Sequence, residues 1–204
     1  MKKIIKNIFI IMLALMVTAC RGENQEALYA TENWNAMDLT YLVSKMDDII
    51  DHPMMTETMT ITDAEFKENK TGLADVGLIE AMVISNRMIQ MGEPYSLILI
   101  KVPVGSNISQ IKQELYDSIN LCYWICACAD ELRVTNYGHV IMVVMAERSL
   151  ANEVVREFER VTGTIGRVLS RVNDQEPEED PGFDFGDDFD FGDDHLDDEY
   201  IDFD

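Results

Sequence analysis

The hydrophobic positions of this chain form patterns that change along its length, and each predicts a different element. The first is an uncharged, mostly apolar run from Ile8 to Val17, preceded by Lys2, Lys3 and Lys6. It is shorter than the roughly 20 residues that cross a bilayer as a helix, so it reads as a signal segment. A helical period follows: Leu39, Leu42, Val43, Met46, Ile49 and Ile50 recur at i, i+3, i+4, i+7, i+10 and i+11. Asp51-His52-Pro53 closes this helix, because a proline disfavours helical geometry at the residue before it. Thr62-Asp63-Ala64-Glu65 has the form of a capping box opening a short helix, with Gly72 as its stop.

Extended patterns come next. Ile79–Gln90 and Tyr95–Val104 are rich in β-branched and apolar residues, and Gly92-Glu93-Pro94 joins them as a hairpin. Ser106 can cap a second helix carrying Ile108, Ile111, Leu115, Ile119, Cys122 and Cys126 on one face. A second hairpin is expected from Glu131 to Met145, turning near Asn136-Tyr137-Gly138. Its run Val140–Met145 is apolar throughout, as in a central strand covered on both sides. Ser149 opens a last helix with Leu150, Val154, Phe158 and Val161 inward. Hairpins alternating with helices predict an α+β fold: an antiparallel sheet of two hairpins, helices packed on one face, and a helix ahead of them.

Charge and processing signals divide the chain into four parts. Val17-Thr18-Ala19-Cys20 ends the apolar run with the small residues a signal peptidase needs before a cysteine. Small side chains let the extended backbone enter the peptidase, and the cysteine sulfur accepts a diacylglyceryl group. Residues 1–19 therefore read as a signal peptide and Cys20 as a lipidation site. Residues 20–35 read as a tether. Residues 36–172 form the α+β domain, and residues 173–204 an acidic tail. The formal net charge is −22, but residues 174–204 hold sixteen Asp and Glu and no Lys or Arg. Setting those sixteen aside, with the three lysines of the signal segment, leaves −9 for residues 20–173. A domain of that sign is a poor partner for nucleic acid phosphates, and a headgroup-binding surface is not expected on it for the same reason.

The lipobox, the short acidic tether, the Tyr41–Ile50 helix and the two hairpin-plus-helix units together resemble a widespread family. Its members are small uncharacterised lipoproteins of Gram-positive bacteria, classed as a domain of unknown function. The resemblance is carried by Pro94-Tyr95-Ser96-Leu97-Ile98-Leu99-Ile100-Lys101-Val102 and by Asn136-Tyr137-Gly138-His139-Val140-Ile141-Met142-Val143-Val144. It covers roughly residues 38–163 and is one of pattern, with no catalytic or binding residues to carry over. The cysteine-rich stretch at 122–128 and the tail depart from that pattern.

Candidate chemistry is sparse. Cys122, Cys126 and Cys128 form C-x3-C-x-C, which suits no standard zinc spacing; core packing, a disulfide and a soft-metal site are the readings open to it, packing first. His52, His139 and His195 stand apart, with no nucleophile and orienting group beside them. No phosphate-binding loop, dinucleotide fingerprint, zinc-protease or serine-hydrolase motif occurs, so no catalytic, cofactor or metal residues are assigned. The methionines, among them Met54, Met55, Met59, Met82, Met88 and Met91, read as core filler before they read as an adaptable groove. In the tail, Phe183-Asp184-Phe185-Gly186-Asp187-Asp188 repeats as Phe189-Asp190-Phe191-Gly192-Asp193-Asp194. So dense a run of one sign cannot bury a core and is expected to be disordered. It reads either as a solvated arm or as a segment whose aromatics dock on a basic protein partner or whose carboxylates collect divalent cations, without EF-hand spacing. The expected protein is a lipoprotein on the extracytoplasmic face of the cell membrane. A non-enzymatic accessory or binding module is favoured, with an envelope enzyme or small-ligand sensor as the alternative.

Overall fold

A computed structural model of the chain describes residues 30–50, 56–87, 94–122, 124 and 127–174. The signal segment with Cys20, together with His52, Met54, Met55, Met88, Met91, Cys126 and the acidic repeat with His195, lies outside the described residues. The chain divides into two units, Met1–Asn173 and Asp174–Asp204, and every described helix and strand belongs to the first.

Helix α1 spans Ala36–Asp47. Asn35 caps it by accepting from the Met37 amide at 2.8 Å, and the Asp38 carboxylate accepts from the Asn35 amide at 2.8 Å, so two otherwise orphan donors are satisfied reciprocally. Leu39, Leu42, Val43 and Met46 are buried along one stripe, and Ile50 beyond the helix end is buried with them. Helix α2 spans Ala64–Thr71 and starts one residue later than the sequence pattern implied: Asp63, not Thr62, accepts from the Phe66 amide. Gly72 stops it at φ 65°, a left-handed geometry that also presses the backbone against Ser118, where a Cβ would lie 2.6 Å from the serine Cβ.

Helix α3, Ile108–Ser118, is capped by Asn107 rather than Ser106, and helix α4, Arg148–Thr162, by Glu147 rather than Ser149. Both bury the expected stripes, Ile108, Ile111 and Leu115 in the first, Val154 and Phe158 in the second. However, α3 does not continue to Cys126. Ile119 takes an extended backbone with ψ 130°, and the guanidinium of Arg171 donates to the carbonyls of Asp117 and Ile119. Those two acceptors at the helix end are thus supplied by a donor from a distant strand.

The sheet has six strands: β1 Thr56–Thr60, β2 Ala81–Arg87, β3 Ser96–Lys101, β4 Glu131–Tyr137, β5 Val140–Ala146 and β6 Leu169–Val172. Their order is β1-β2-β3-β5-β4-β6 and every neighbouring pair is antiparallel. The α+β class, the antiparallel sheet and the leading helix are as the sequence predicts. Each hairpin gains an outer strand: β1 beside β2, and β6 beside β4. Register follows the side-chain alternation, with Val83 opposite Leu99 and Leu99 opposite Met142 across the centre.

The alternation is apolar in both phases, which decides where the helices go. Met82, Ile84, Ile98, Ile100, Ile141, Val143 and Met145 pack with α3 and its neighbours, whereas Val83, Leu97, Leu99, Met142 and Val144 pack with α1 and α4. The double covering expected of Val140–Met145 therefore extends across the central strands, and helices cover both faces rather than one. A sheet apolar on both sides leaves neither free for water.

The domain also begins earlier than the sequence suggests. Thr31 is fully buried and its Oγ1 accepts from the His139 amide at 2.7 Å. The Lys101 ammonium donates to the carbonyls of Glu32 and Trp34 at 2.8 and 2.7 Å. Trp34 lies against Tyr137, ring centroids 6.2 Å apart. Residues 31–35, expected from the sequence to belong to the tether, are instead a strap bound to the sheet.

Candidate functional site

The least ordinary chemical group in the domain is Asp47, the last residue of α1. It is buried, and its position is legible in retrospect: four residues after Val43 and eight after Leu39, it falls on the inward stripe. The apolar members of that stripe mark the helix, whereas an acidic residue on it adds nothing to the hydrophobic pattern. Asp47 Oδ2 accepts from Ser85 Oγ at 2.7 Å and Thr58 Oγ1 at 3.3 Å, and Oδ1 accepts from Tyr95 Oη at 3.2 Å. Strands β1 and β2 and the residue just before β3 thus each direct one hydroxyl at a carboxylate that a helix delivers.

Burial pushes the Asp47 carboxyl above the usual carboxylate range, against the hydrogen bonds from Ser85, Tyr95 and Thr58, which favour the charged form. Tyr95, buried among apolar neighbours, has its phenol held well above the ordinary value, first by burial and then by the Asp47 charge. A carboxylate displaced upward is what a general acid or base needs. Here, though, both oxygens are occupied by hydroxyls that hold them in place. The cluster fastens the end of α1 to β1, β2 and β3.

A cleft of about 20 Å³ opens on the other face, lined by Asn69, Lys70, Ser96, Ile98, Ile119, Asn120 and Met145. It has room for about one water rather than a substrate. Lys70 at its rim has its ammonium pushed below the usual lysine value by burial, and it lies 4.8 Å from the Phe66 ring centre.

The cysteines depart from the first expectation. Cys122 is not on the buried stripe of α3, because that helix ends at Ser118; it forms a disulfide with Cys128. The bridge closes a loop whose base is the Ala129 amide donating to the Leu121 carbonyl at 2.9 Å, and Trp124 from within it is buried in the core. Among the described residues no group of His, Cys, Asp and Glu is arranged to hold a metal ion. His139 is in the turn between β4 and β5 and is buried there with Nδ1 lacking a partner. Of the methionines, Met82 is fully buried and Met59 is packed at the edge of the same core.

Two further buried groups hold the C-terminal part in place. Lys112 Nζ donates to Asn136 Oδ1 at 2.8 Å and to the Arg167 carbonyl at 2.6 Å, drawing the chain between α4 and β6 onto β4. Gly166 passes so close to Asn136 that a Cβ would sit 2.2 Å from its Oδ1. Glu131, almost wholly buried, takes Arg133 at 2.9 Å and the Ser170 hydroxyl, joining β4 to β6. Apart from the Glu131–Arg133 pair within β4, these contacts, like those of Asp47, are between one element of the fold and another.

No helix among the described residues is long and apolar enough to cross a membrane. Comparisons with protein families, with curated proteins and with solved structures give no match to this chain.

Proposed function

We propose that the chain is a bacterial lipoprotein, held on the extracytoplasmic face of the cell membrane by lipid on Cys20, with its domain serving as a non-enzymatic accessory or binding module. The observation that carries this reading is the ordered signal at the N-terminus: Lys2, Lys3 and Lys6, the apolar run to Val17, then Thr18-Ala19-Cys20. The Cys122–Cys128 disulfide supports it, since such bridges persist in oxidising compartments and are rare in the cytosol. The likeness in pattern to small Gram-positive lipoproteins points the same way. An enzyme or small-ligand sensor would need a cleft in which shifted groups converge. Asp47 is shifted but enclosed by its three hydroxyl partners, and the Lys70 cleft is water-sized. The acidic segment 174–204 is the part suited to a basic protein partner. Mass spectrometry of the N-terminal peptide from membrane-extracted protein is expected to find a diacylglyceryl-modified Cys20. An unmodified Cys20 at the mature terminus would falsify the anchor.

A further inference from the structure

We infer that one end of the domain rests against the bilayer: the end built from the strap at residues 31–35, the loop after β3 and the Gly138–His139 turn, with a lipid surface as its partner. This rests on the anchor at Cys20 proposed above. The chain from Cys20 arrives at a fixed place, because Thr31 is buried on the His139 amide and Lys101 grips the carbonyls of Glu32 and Trp34. Only residues 21–30 intervene, a span of at most about 40 Å even when fully extended.

The side chains at this end are unusual for a surface. Of the four large hydrophobic residues exposed among the described ones, Met37 and Val104 stand here and are 80% and 55% exposed. Met37 follows Trp34 by three residues in the first turn of α1, and Val104 follows Lys101 by three residues, so the strap contacts bring both to the same end. Tyr41, one turn on from Met37, is 65% exposed, and its amphipathic ring suits the level of lipid headgroups. The charges here nearly cancel: Lys101 pairs with Glu80 at 3.1 Å, Asp38 is engaged at the α1 cap, and Glu32 and Arg167 are of opposite sign. The contact is therefore apolar and insensitive to salt. The opposite end of the sheet carries Glu131 with Arg133 and Arg148, and Asn173 is held there by the Asp130 carbonyl at 2.8 Å.

The test is amide hydrogen exchange on the lipidated mature chain, bound to vesicles of phosphatidylcholine and phosphatidylglycerol, against an unlipidated form lacking residues 1–20. Vesicle binding is expected to slow exchange at Val104, Gly105 and the first turn of α1, but not at Glu147–Ser149, and high salt should not reverse it. The lipidated Met37→Asp/Val104→Asp variant should still sediment with vesicles but lose that protection; the same double variant lacking residues 1–20 provides the folded control. Vesicle-bound protein that exchanges at this end as fast as the unlipidated form, or is protected at Glu147–Ser149 instead, overturns the inference and leaves the anchor standing. A wild-type chain that does not sediment with vesicles overturns both.

Discussion

Asp47 shows how one side chain can tie stability to pH. Its carboxyl is raised by burial, so its contribution to stability is fully present below the unfolded value of about 3.9 and is lost as pH rises through the higher folded value. An Asp47→Asn variant keeps one acceptor oxygen, places an amide NH2 that donates to a hydroxyl where the other oxygen stood, and lacks the titration. The stability of the wild-type chain relative to that variant is therefore expected to fall as pH rises from below 4 towards neutrality, read by urea unfolding of both proteins at each pH. A difference that stays flat, or grows with pH, would show that the hydrogen bonds outweigh burial. Asp47→Ala, which strips the acceptor from Ser85, Thr58 and Tyr95, should cost about 1–3 kcal/mol at any pH in that range. The helical stripe pointed to this residue, but nothing in the sequence could say that hydroxyls from positions 58, 85 and 95 would meet it. That convergence depends on the pairing of three strands.

At the scale of elements, legibility followed apolar content. The central strands and helices α1, α3 and α4 show in the sequence because their buried residues recur with period 2 or 3.6, or run unbroken; α2, which buries only Thr71, shows by its capping residues and Gly72 instead. The edge strands do not. Thr-Glu-Thr-Met-Thr at β1 has one apolar residue, and the four residues of β6 carry a serine and an arginine. Their places are set by what they pair with: β1 by the free edge of β2, and β6 by Glu131 and by Arg171 at the end of α3. The same contact with Arg171 explains the misplaced cysteine. The apolar stripe of α3 carries on past Ser118 in the sequence, but the backbone turns at Ile119 and Cys122 becomes available to Cys128. Opening so short a loop in a Cys122→Ser/Cys128→Ser variant is expected to lower stability by about 2 kcal/mol, measured by denaturant unfolding, with metal content unchanged. Stoichiometric zinc or iron in the wild-type protein, lost in the variant, would restore the ligand reading.

For the whole molecule, charge separates what hydrophobic pattern does not. Sixteen carboxylates between Asp174 and Asp204, without a Lys or Arg among them, oppose collapse of that segment onto itself, while residues 20–173 carry only −9. The division of the chain into units at Asn173 falls at the same boundary. Deleting residues 174–204 is accordingly expected to leave the domain's melting temperature nearly unchanged; if the segment serves the proposed basic partner, the deletion abolishes a capture that added salt weakens. A large loss of thermal stability on truncation would mean that the acidic segment belongs to the folded domain after all.

The strap and the last strand also fix how the domain would carry a load. The chain enters at Thr31, beside the β4–β5 turn, and the last strand ends at Val172 opposite Glu131, at the other end of β4. Tension between a fixed Cys20 and a partner holding the acidic segment would pull β6 along its own axis. Every rung of the β6–β4 ladder, together with the Glu131–Ser170 and Arg171–Ile119 contacts, would then be strained at once instead of opening in turn. A sheet loaded in that direction yields by sliding, which requires many bonds to fail together, so a four-residue strand can serve as a firm handle.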